Sequence, residues 1–189
     1  MAITHHIMII LVSLLVISVS AVTPPAKLKP TQTVPVSAED FTAAHNDYRA
    51  TVYLPPFVWS QTLEAAAIRL ARYQRNKRKC EYASLKYPSK YGANQLRVEG
   101  RFLTTIMTPS QTVLSWANEM GYYDYKSNTC TPNHTCRDFV QLFWRKSKEV
   151  GCAQARCVKE STFFFFWKIK EPTVLTICLY NPPANLPKP

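Results

Sequence analysis

Residues 136–144 read C-R-D-F-V-Q-L-F-W and place a cysteine and an acidic residue in front of an aromatic run. Phe139, Leu142 and Phe143 recur at helical spacing, which predicts a short helix with one apolar face that Gly151 ends. Asp138 begins this segment, at a place where a small protein could keep a catalytic acid or a metal ligand. The rest of the sequence indicates whether this stretch has a catalytic or metal-binding role or only a structural one.

Three more helices are predicted on the N-terminal side of this stretch. Ser37 precedes two acidic residues, which is typical of a helix start. Ser60 can cap a second helix, and Pro109 suits the first turn of a third that we expect to run to Met120.

The C-terminal side is rich in β-forming residues. Strands are expected at 150–157, 163–169 and 174–180, with a turn at 170–172. Helices first and strands later predict an α+β fold class, with helices layered on a sheet.

The N-terminal end predicts processing and export. Ile7 to Ile17 form an almost unbroken apolar run and small residues follow up to Ala21, so residues 1–21 are interpreted as a secretory signal peptide. The run is shorter than the roughly 18 apolar residues that a membrane-spanning helix needs, so we expect no transmembrane segment. Residues 22–36 carry four prolines and predict a linker, which leaves residues 37–189 as one domain.

All six cysteines lie beyond the predicted signal peptide. An even number of cysteines in a secreted chain indicates three disulfides, and their spacing alone does not choose among the many possible pairings. A zinc site would need a C-x-x-C pair or histidines at suitable spacing, and the sequence has neither.

The charge balance is strongly basic, with 23 Lys and Arg against 12 Asp and Glu and a net charge of +11. Such a charge attracts polyanions, including acidic cell-wall polysaccharide. Six basic residues crowd into residues 69–79, but Tyr73 is the one aromatic residue among them, which argues against a nucleic-acid partner. A basic polyanion-binding protein of the cell wall is therefore the alternative function.

Candidate catalytic groups are scarce. Two of the four histidines belong to the predicted signal, while His45 lies on a helix and His134 in a polar loop. There is no G-x-S-x-G motif and no spare cysteine. Glu119 and Asp138 remain as an acid pair of the kind that glycoside hydrolases use, but the pattern favours a protein that is not an enzyme.

One modification site is expected in a surface loop. Asn133-His134-Thr135 is an N-glycosylation sequon, and it lies between two cysteines.

Seven motifs in order resemble those of one family, the plant pathogenesis-related class-one proteins of the CAP superfamily. The chain has A-H-N-D-Y-R (44–49) for A-H-N-x-x-R, and C-R-D-F-V-Q-L-F-W for C-G-H-Y-T-Q-V-V-W. The other five motifs are F-V-W-S (57–60), Y-G-A-N-Q-L (91–96), W-A-N-E (116–119), Y-D-Y-K-S-N-T-C (123–130) and Y-N-P-P-A-N (180–185). Within the family, the chain most resembles the pistil-type branch.

The resemblance implies a three-layer α-β-α sandwich and one cystine pattern. The implied pairs are Cys80–Cys157, Cys130–Cys136 and Cys152–Cys178.

The resemblance also implies a cleft where many members hold a divalent metal with two histidines and two glutamates. The matching positions here are Ser84, Ala93, Glu119 and Asp138, with Lys86 as a second match for the first of them. Two carboxylates could hold a hard cation such as Ca²⁺ or Mg²⁺, whereas a site without imidazole ligands binds zinc poorly. We therefore expect a degenerate cleft with no specific zinc site and no cofactor.

Two departures from the family pattern stand out. The apolar segment 161–171 lengthens the region between the last two cysteines, and could form a hairpin that contacts lipid or a partner. The chain stops five residues after Ala184, which puts in doubt the C-terminal peptide that some relatives release.

The resemblance and the composition together suggest a secreted, monomeric, non-enzymatic protein of the cell wall or apoplast. It would act in defence or in reproductive tissue by binding a sterol or other lipid, a polysaccharide or an extracellular protein.

Overall fold

The computed structural model describes residues 37–84, 90–100, 107–163 and 167–184, and the side chains of residues 159 and 161–169 are left out of account. The predicted signal peptide and linker, Lys86 and the last five residues lie outside the described residues. The central sheet has four strands in the order β1-β5-β6-β2. The strands are β1 (Val58–Trp59), β2 (Gly92–Glu99), β5 (Glu149–Phe163) and β6 (Trp167–Asn181).

Strands β2, β5 and β6 are antiparallel neighbours, and β1 pairs in parallel with β5. A small second sheet pairs β3 (Tyr123–Asp124) with β4 (Thr129–Cys130).

Two helices on one face of the sheet start at capping side chains that the sequence supplies. Helix α1 (Ala38–Ala50) begins where Ser37 Oγ accepts the N–H of Asp40 at 3.1 Å. Helix α3 (Pro109–Ala117) begins at a capping box formed by Thr108 and Gln111. The predicted third helix is three residues too long, because the chain tightens into a 3-10 helix at Asn118–Tyr122.

Helix α2 (Gln61–Arg78) covers the other face of the sheet and approaches β5 closely. A Cβ added to Gly151 would lie 2.3 Å from the backbone nitrogen of Glu64, so only glycine permits this contact. The prediction that Gly151 ends the fourth helix is wrong. Helix α4 (Arg137–Leu142) ends well before it, and Gly151 lies in β5.

Two apolar clusters fill the spaces between the layers. One joins α1, α3 and α4 to the sheet and includes Phe41, Trp116 and Leu142. The other joins α2 to the opposite face and includes Leu63 and Ile177. The fold is therefore the predicted three-layer α-β-α sandwich.

Three disulfides link the elements, and they are the pairs that the resemblance implies. Cys80–Cys157 ties the end of α2 to β5, Cys152–Cys178 joins β5 to β6, and Cys130–Cys136 closes the loop before α4.

The strand prediction at the C-terminal end needs correction. Strands β5 and β6 pair continuously from Glu149–Asn181 to Phe163–Trp167, so residues 170–172 form no turn and 163–169 is not a separate strand. Pro172 does not interrupt the hydrogen bonds between β6 and β2, because β2 ends opposite Thr173. The carbonyl of Pro172 accepts from Gly100 on the β2 side, so the missing proline N–H also faces that side, beyond the end of β2.

No helix in the described part of the chain is long and apolar enough to cross a membrane.

Candidate functional site

Glu119 and Asp138 meet at the start of α4. Glu119 lies in the 3-10 helix that follows α3. Its Oε2 accepts the backbone N–H groups of Asp138 at 2.9 Å and Phe139 at 3.1 Å. The carboxylate thus satisfies two donors in the first turn of α4. Burial raises the pKa of Glu119, and the two hydrogen bonds oppose that shift only in part.

The Asp138 carboxyl lies in a half-buried environment that disfavours its charge. Burial raises the pKa of Asp138 well above its ordinary value, and the negative charge of Glu119 raises it further. Arg137 opposes the shift. The two carboxyls therefore resist being ionised together.

The other two cleft positions lie apart from this pair. Ser84 is exposed in the segment after α2. Ala93 packs against the cluster on α2, whereas the next residue, Asn94, donates to the carbonyl of Asp138 at 2.9 Å. Because successive strand residues point to opposite faces, Ala93 faces away from α4. The structure brings Glu119 and Asp138 together and leaves Ser84 and Ala93 on the α2 side.

His45 is buried and both of its ring nitrogens have partners. Nδ1 donates to the carbonyl of Phe41 at 2.6 Å, which leaves Nε2 to accept from the hydroxyl of Tyr180 at 2.9 Å. Burial is the largest of the causes that lower the pKa of His45 to about 4, so the ring is neutral near pH 7. The nearest sulfur atoms, of Cys152 and Cys178, form a disulfide and offer no thiolate to a metal.

The donor set does not fit zinc. Ser84 and Ala93 supply no imidazole or carboxylate, and Glu119 Oε2 is already engaged by two backbone donors. His45 has no free nitrogen, and His134 is stacked on Tyr122 in an exposed loop. A borderline cation that prefers imidazole therefore lacks its ligands at this place.

Arg49 organises the region, and the sequence analysis missed it. Its guanidinium donates to four carbonyls and lies 4.0 Å from the ring centre of Phe57. The acceptors are the carbonyls of Pro55, Leu142, Trp144 and Ser147. Burial lowers the pKa of Arg49 to about 10. Its spacing from Phe41 and His45 on the same helix face is a signal that could have revealed this burial.

Gln141 is a second organiser that spacing alone did not reveal. Its Oε1 accepts the N–H of Ala184 at 2.8 Å, and its Nε2 donates to Ser147 Oγ at 3.0 Å. A Cβ on Gly92 would collide with the Gln141 amide, so this glycine makes room for it. The motif around Asp138 thereby anchors the C-terminal end of the sheet.

Aromatic side chains run from the core to the surface beside the carboxyl pair. Phe143, Phe139 and Tyr125 are in sequential contact, with centroid distances of 4.9 and 6.1 Å, and Tyr125 is 62 % exposed. Tyr122 and His134 stack at 3.7 Å in the neighbouring loop. We call Tyr123 and Tyr125, whose ring centres lie 5.1 Å apart, the aromatic surface. Asn133, the residue of the predicted sequon, is exposed beside His134 and has a φ of 64°.

Comparison with known proteins places these features in a family context. The profile of the cysteine-rich secretory protein family (CAP) matches residues 42–170. The STS14 protein of Solanum tuberosum is 39% identical over 150 residues, which cover 79% of this chain and 63% of that protein. The match thus spans less than two thirds of the STS14 protein. Pathogenesis-related protein 1A of Nicotiana tabacum is 30% identical over 149 residues, covering 79% of this chain and 77% of the relative.

Two solved structures share the fold. MpPR-1i superposes with a TM-score of 0.54 at 20% identity, over 78% of this chain and 88% of that chain. Na-ASP-1 superposes with a TM-score of 0.53 at 18% identity, over 79% of this chain and 39% of that chain.

Proposed function

Because this chain belongs to the cysteine-rich secretory protein (CAP) family, as the match over residues 42–170 shows, we propose that it is a secreted protein that works by binding and not by catalysis. It acts outside the plant cell as a monomer, in defence or in reproductive tissue. Its three disulfides and its pathogenesis-related relatives support the extracellular location.

The state of the cleft supports a role without catalysis. Glu119 uses its carboxylate to hold the start of α4, where Oε2 accepts the backbone N–H groups of Asp138 and Phe139. An acid pair needs a second group that is free to act on a substrate. The cleft is therefore a degenerate form of the family's metal site, in which the remaining acid serves the fold.

The observation that carries the binding role is the aromatic surface. Tyr125 is exposed yet continues an array of rings into the core through Phe139. The exposed Tyr125 ring is held edge-on by Phe139 and suits contact with a sterol or another lipid, because burying apolar area is favourable and the ring is already ordered by its neighbours.

The proposal is tested with the purified protein and a fluorescent sterol. Tyr125→Ala is expected to weaken binding about tenfold, since it removes a large apolar contact. Tyr53→Ala is the matched control, because Tyr53 is 92 % exposed in the turn after α1 and should leave binding unchanged. Saturable binding that is lost only in Tyr125→Ala supports the proposal. Equal binding by all three proteins, or no binding across sterols and fatty acids, contradicts it.

A further inference from the structure

Helix α2 carries a concentrated positive charge on the surface that it turns away from the sheet. Residues 65–80 contain six basic residues and no acidic one. Arg69 and Arg72 are exposed one turn apart, and Lys77, Arg78 and Lys79 are exposed at the C-terminal end. We call Arg69 and Arg72 the basic face, and the other three residues add positive charge at the end of the helix.

The packing of α2 holds the basic face in a defined orientation. Leu63, Ala67, Ala71 and Gln74 are buried, so one side of the helix is fixed against the sheet. Arg69 and Arg72 lie on the opposite side by helical periodicity. The disulfide Cys80–Cys157 then fixes the end of the helix to β5. The cations of α2 are therefore presented from a rigid element.

The helix dipole accounts for only part of this charge. Basic residues in the last turn, such as Lys77 and Arg78, complement the partial negative charge at a helix C-terminus. That effect fades beyond the final turn, and Arg69 and Arg72 lie further back along the helix. Like charges three residues apart repel each other, so these two arginines oppose helix formation.

Neighbouring acids do not neutralise the two arginines. Within the described residues Arg69 and Arg72 form no ion pair, and the nearest acid after the helix, Glu81, pairs with Arg97 on β2 at 3.3 Å. The repulsion on α2 is therefore left for an external anion to relieve.

We propose that the basic face of α2 is a binding surface for an acidic polysaccharide that carries carboxylate groups. Guanidinium groups match carboxylates through paired hydrogen bonds, and two of them one turn apart, with three more cations at the helix end, suit a linear polyanion. A membrane would need outward apolar residues beside the cations, but Ala65 and Asn76 occupy the same side as Arg69 and Arg72. A single-stranded nucleic acid would need several stacking platforms, and Tyr73 is the one aromatic residue on the helix near them.

This inference rests on the extracellular location proposed above but is independent of lipid binding. It is tested by measuring the affinity of the purified chain for polygalacturonate, with neutral dextran as a control, at low and high salt. The variant Arg69→Gln/Arg72→Gln removes two charges and keeps helix propensity, because glutamine and arginine are similar helix formers. The matched control, Lys146→Gln/Lys148→Gln, removes two exposed charges elsewhere.

We expect wild-type binding that weakens with salt, a loss of about tenfold in Arg69→Gln/Arg72→Gln, and near wild-type affinity in the control. Equal losses in both variants would show that net charge and not this face is responsible, and would overturn the assignment. Absence of binding to polygalacturonate, or tighter binding to anionic vesicles or single-stranded DNA, would overturn the partner class. Sterol binding by the same samples is scored separately, so either proposal can fail alone.

Discussion

The Oε2 atom of Glu119 lies 2.9 Å from the backbone nitrogen of Asp138, and it also accepts from Phe139 at 3.1 Å. The two residues are the acid pair that the sequence singles out, and one carboxylate supports the backbone of the other. The contact joins the segment after α3 to the start of α4, so Glu119 acts as a packing contact.

Removing the Glu119 carboxylate should destabilise the fold. Glu119→Ala leaves two N–H groups in the first turn of α4 without their acceptor, and the loss of a helix cap costs about 1–2 kcal/mol. Thermal unfolding followed by circular dichroism should show a midpoint lower by roughly 2–8 °C. Asp47→Ala, at an exposed position of α1, is the control and should unfold like the wild type. Equal midpoints in all three proteins would show that the contact does not support α4.

Neutralising Asp138 should stabilise the protein near pH 7. Its carboxyl has a pKa raised above the ordinary 3.8, mainly by burial and then by Glu119, so the folded state binds this proton more tightly than the unfolded state does. Stability from this group is therefore fully present below the ordinary pKa and is lost as the pH rises through the raised, folded value. Asp138→Asn removes that loss.

The midpoint of Asp138→Asn should exceed that of the wild type at pH 7, and the two should converge at about pH 3, where the aspartate is protonated in both states. Unfolding curves across this pH range measure the difference. A difference that is constant with pH would contradict the raised pKa.

Deleting the Tyr180 hydroxyl should be costly despite the small change in volume. Tyr180→Phe leaves the buried Nε2 of His45 without its donor, and an unsatisfied buried acceptor costs about 1–3 kcal/mol. Urea unfolding should show a lower midpoint with an unchanged m-value. In Tyr53→Phe the same atom is removed from an exposed side chain, and no change is expected. If the two variants behaved alike, the His45–Tyr180 hydrogen bond would carry no net stability.

The close approach of α2 to β5 can be tested by substituting Gly151, with Gly121 as the matched control. Gly151→Ala would place a methyl group 2.3 Å from the backbone of Glu64, so α2 must shift, at a cost of about 1–3 kcal/mol or more. A Cβ at Gly121 meets nothing within 4 Å, so Gly121→Ala should be neutral. The free energies of unfolding of the two variants measure the difference. Similar values would mean that the layers can separate without cost.

Much of the fold could be predicted because its signals are local. Ser37 and Ser60 before two helices, Pro109 in the first turn of a third, helical spacing of apolar residues and motif order indicate the four helices, the fold class and the family. Ser60 does precede α2, but its side chain makes no capping hydrogen bond, and the capping box of Thr108 was not predicted. The candidate pair Glu119 and Asp138 was also predictable, since both belong to motifs. The sequence does not predict the eight-residue strand β2, because its mostly polar residues carry no strong strand signal.

The sequence by itself determined the fold class and the helix starts, because each depends on neighbours within a few residues. Only the tertiary structure decided that β5 and β6 pair continuously past Pro172, that Gly151 makes room for α2, and that Ala93 faces away from Asp138. The burial of Arg49 was also decided by the tertiary structure, because its guanidinium donates to four carbonyls that folding brings together. These features depend on contacts between residues far apart in the chain, where strand pairing and layer packing outweigh local propensity.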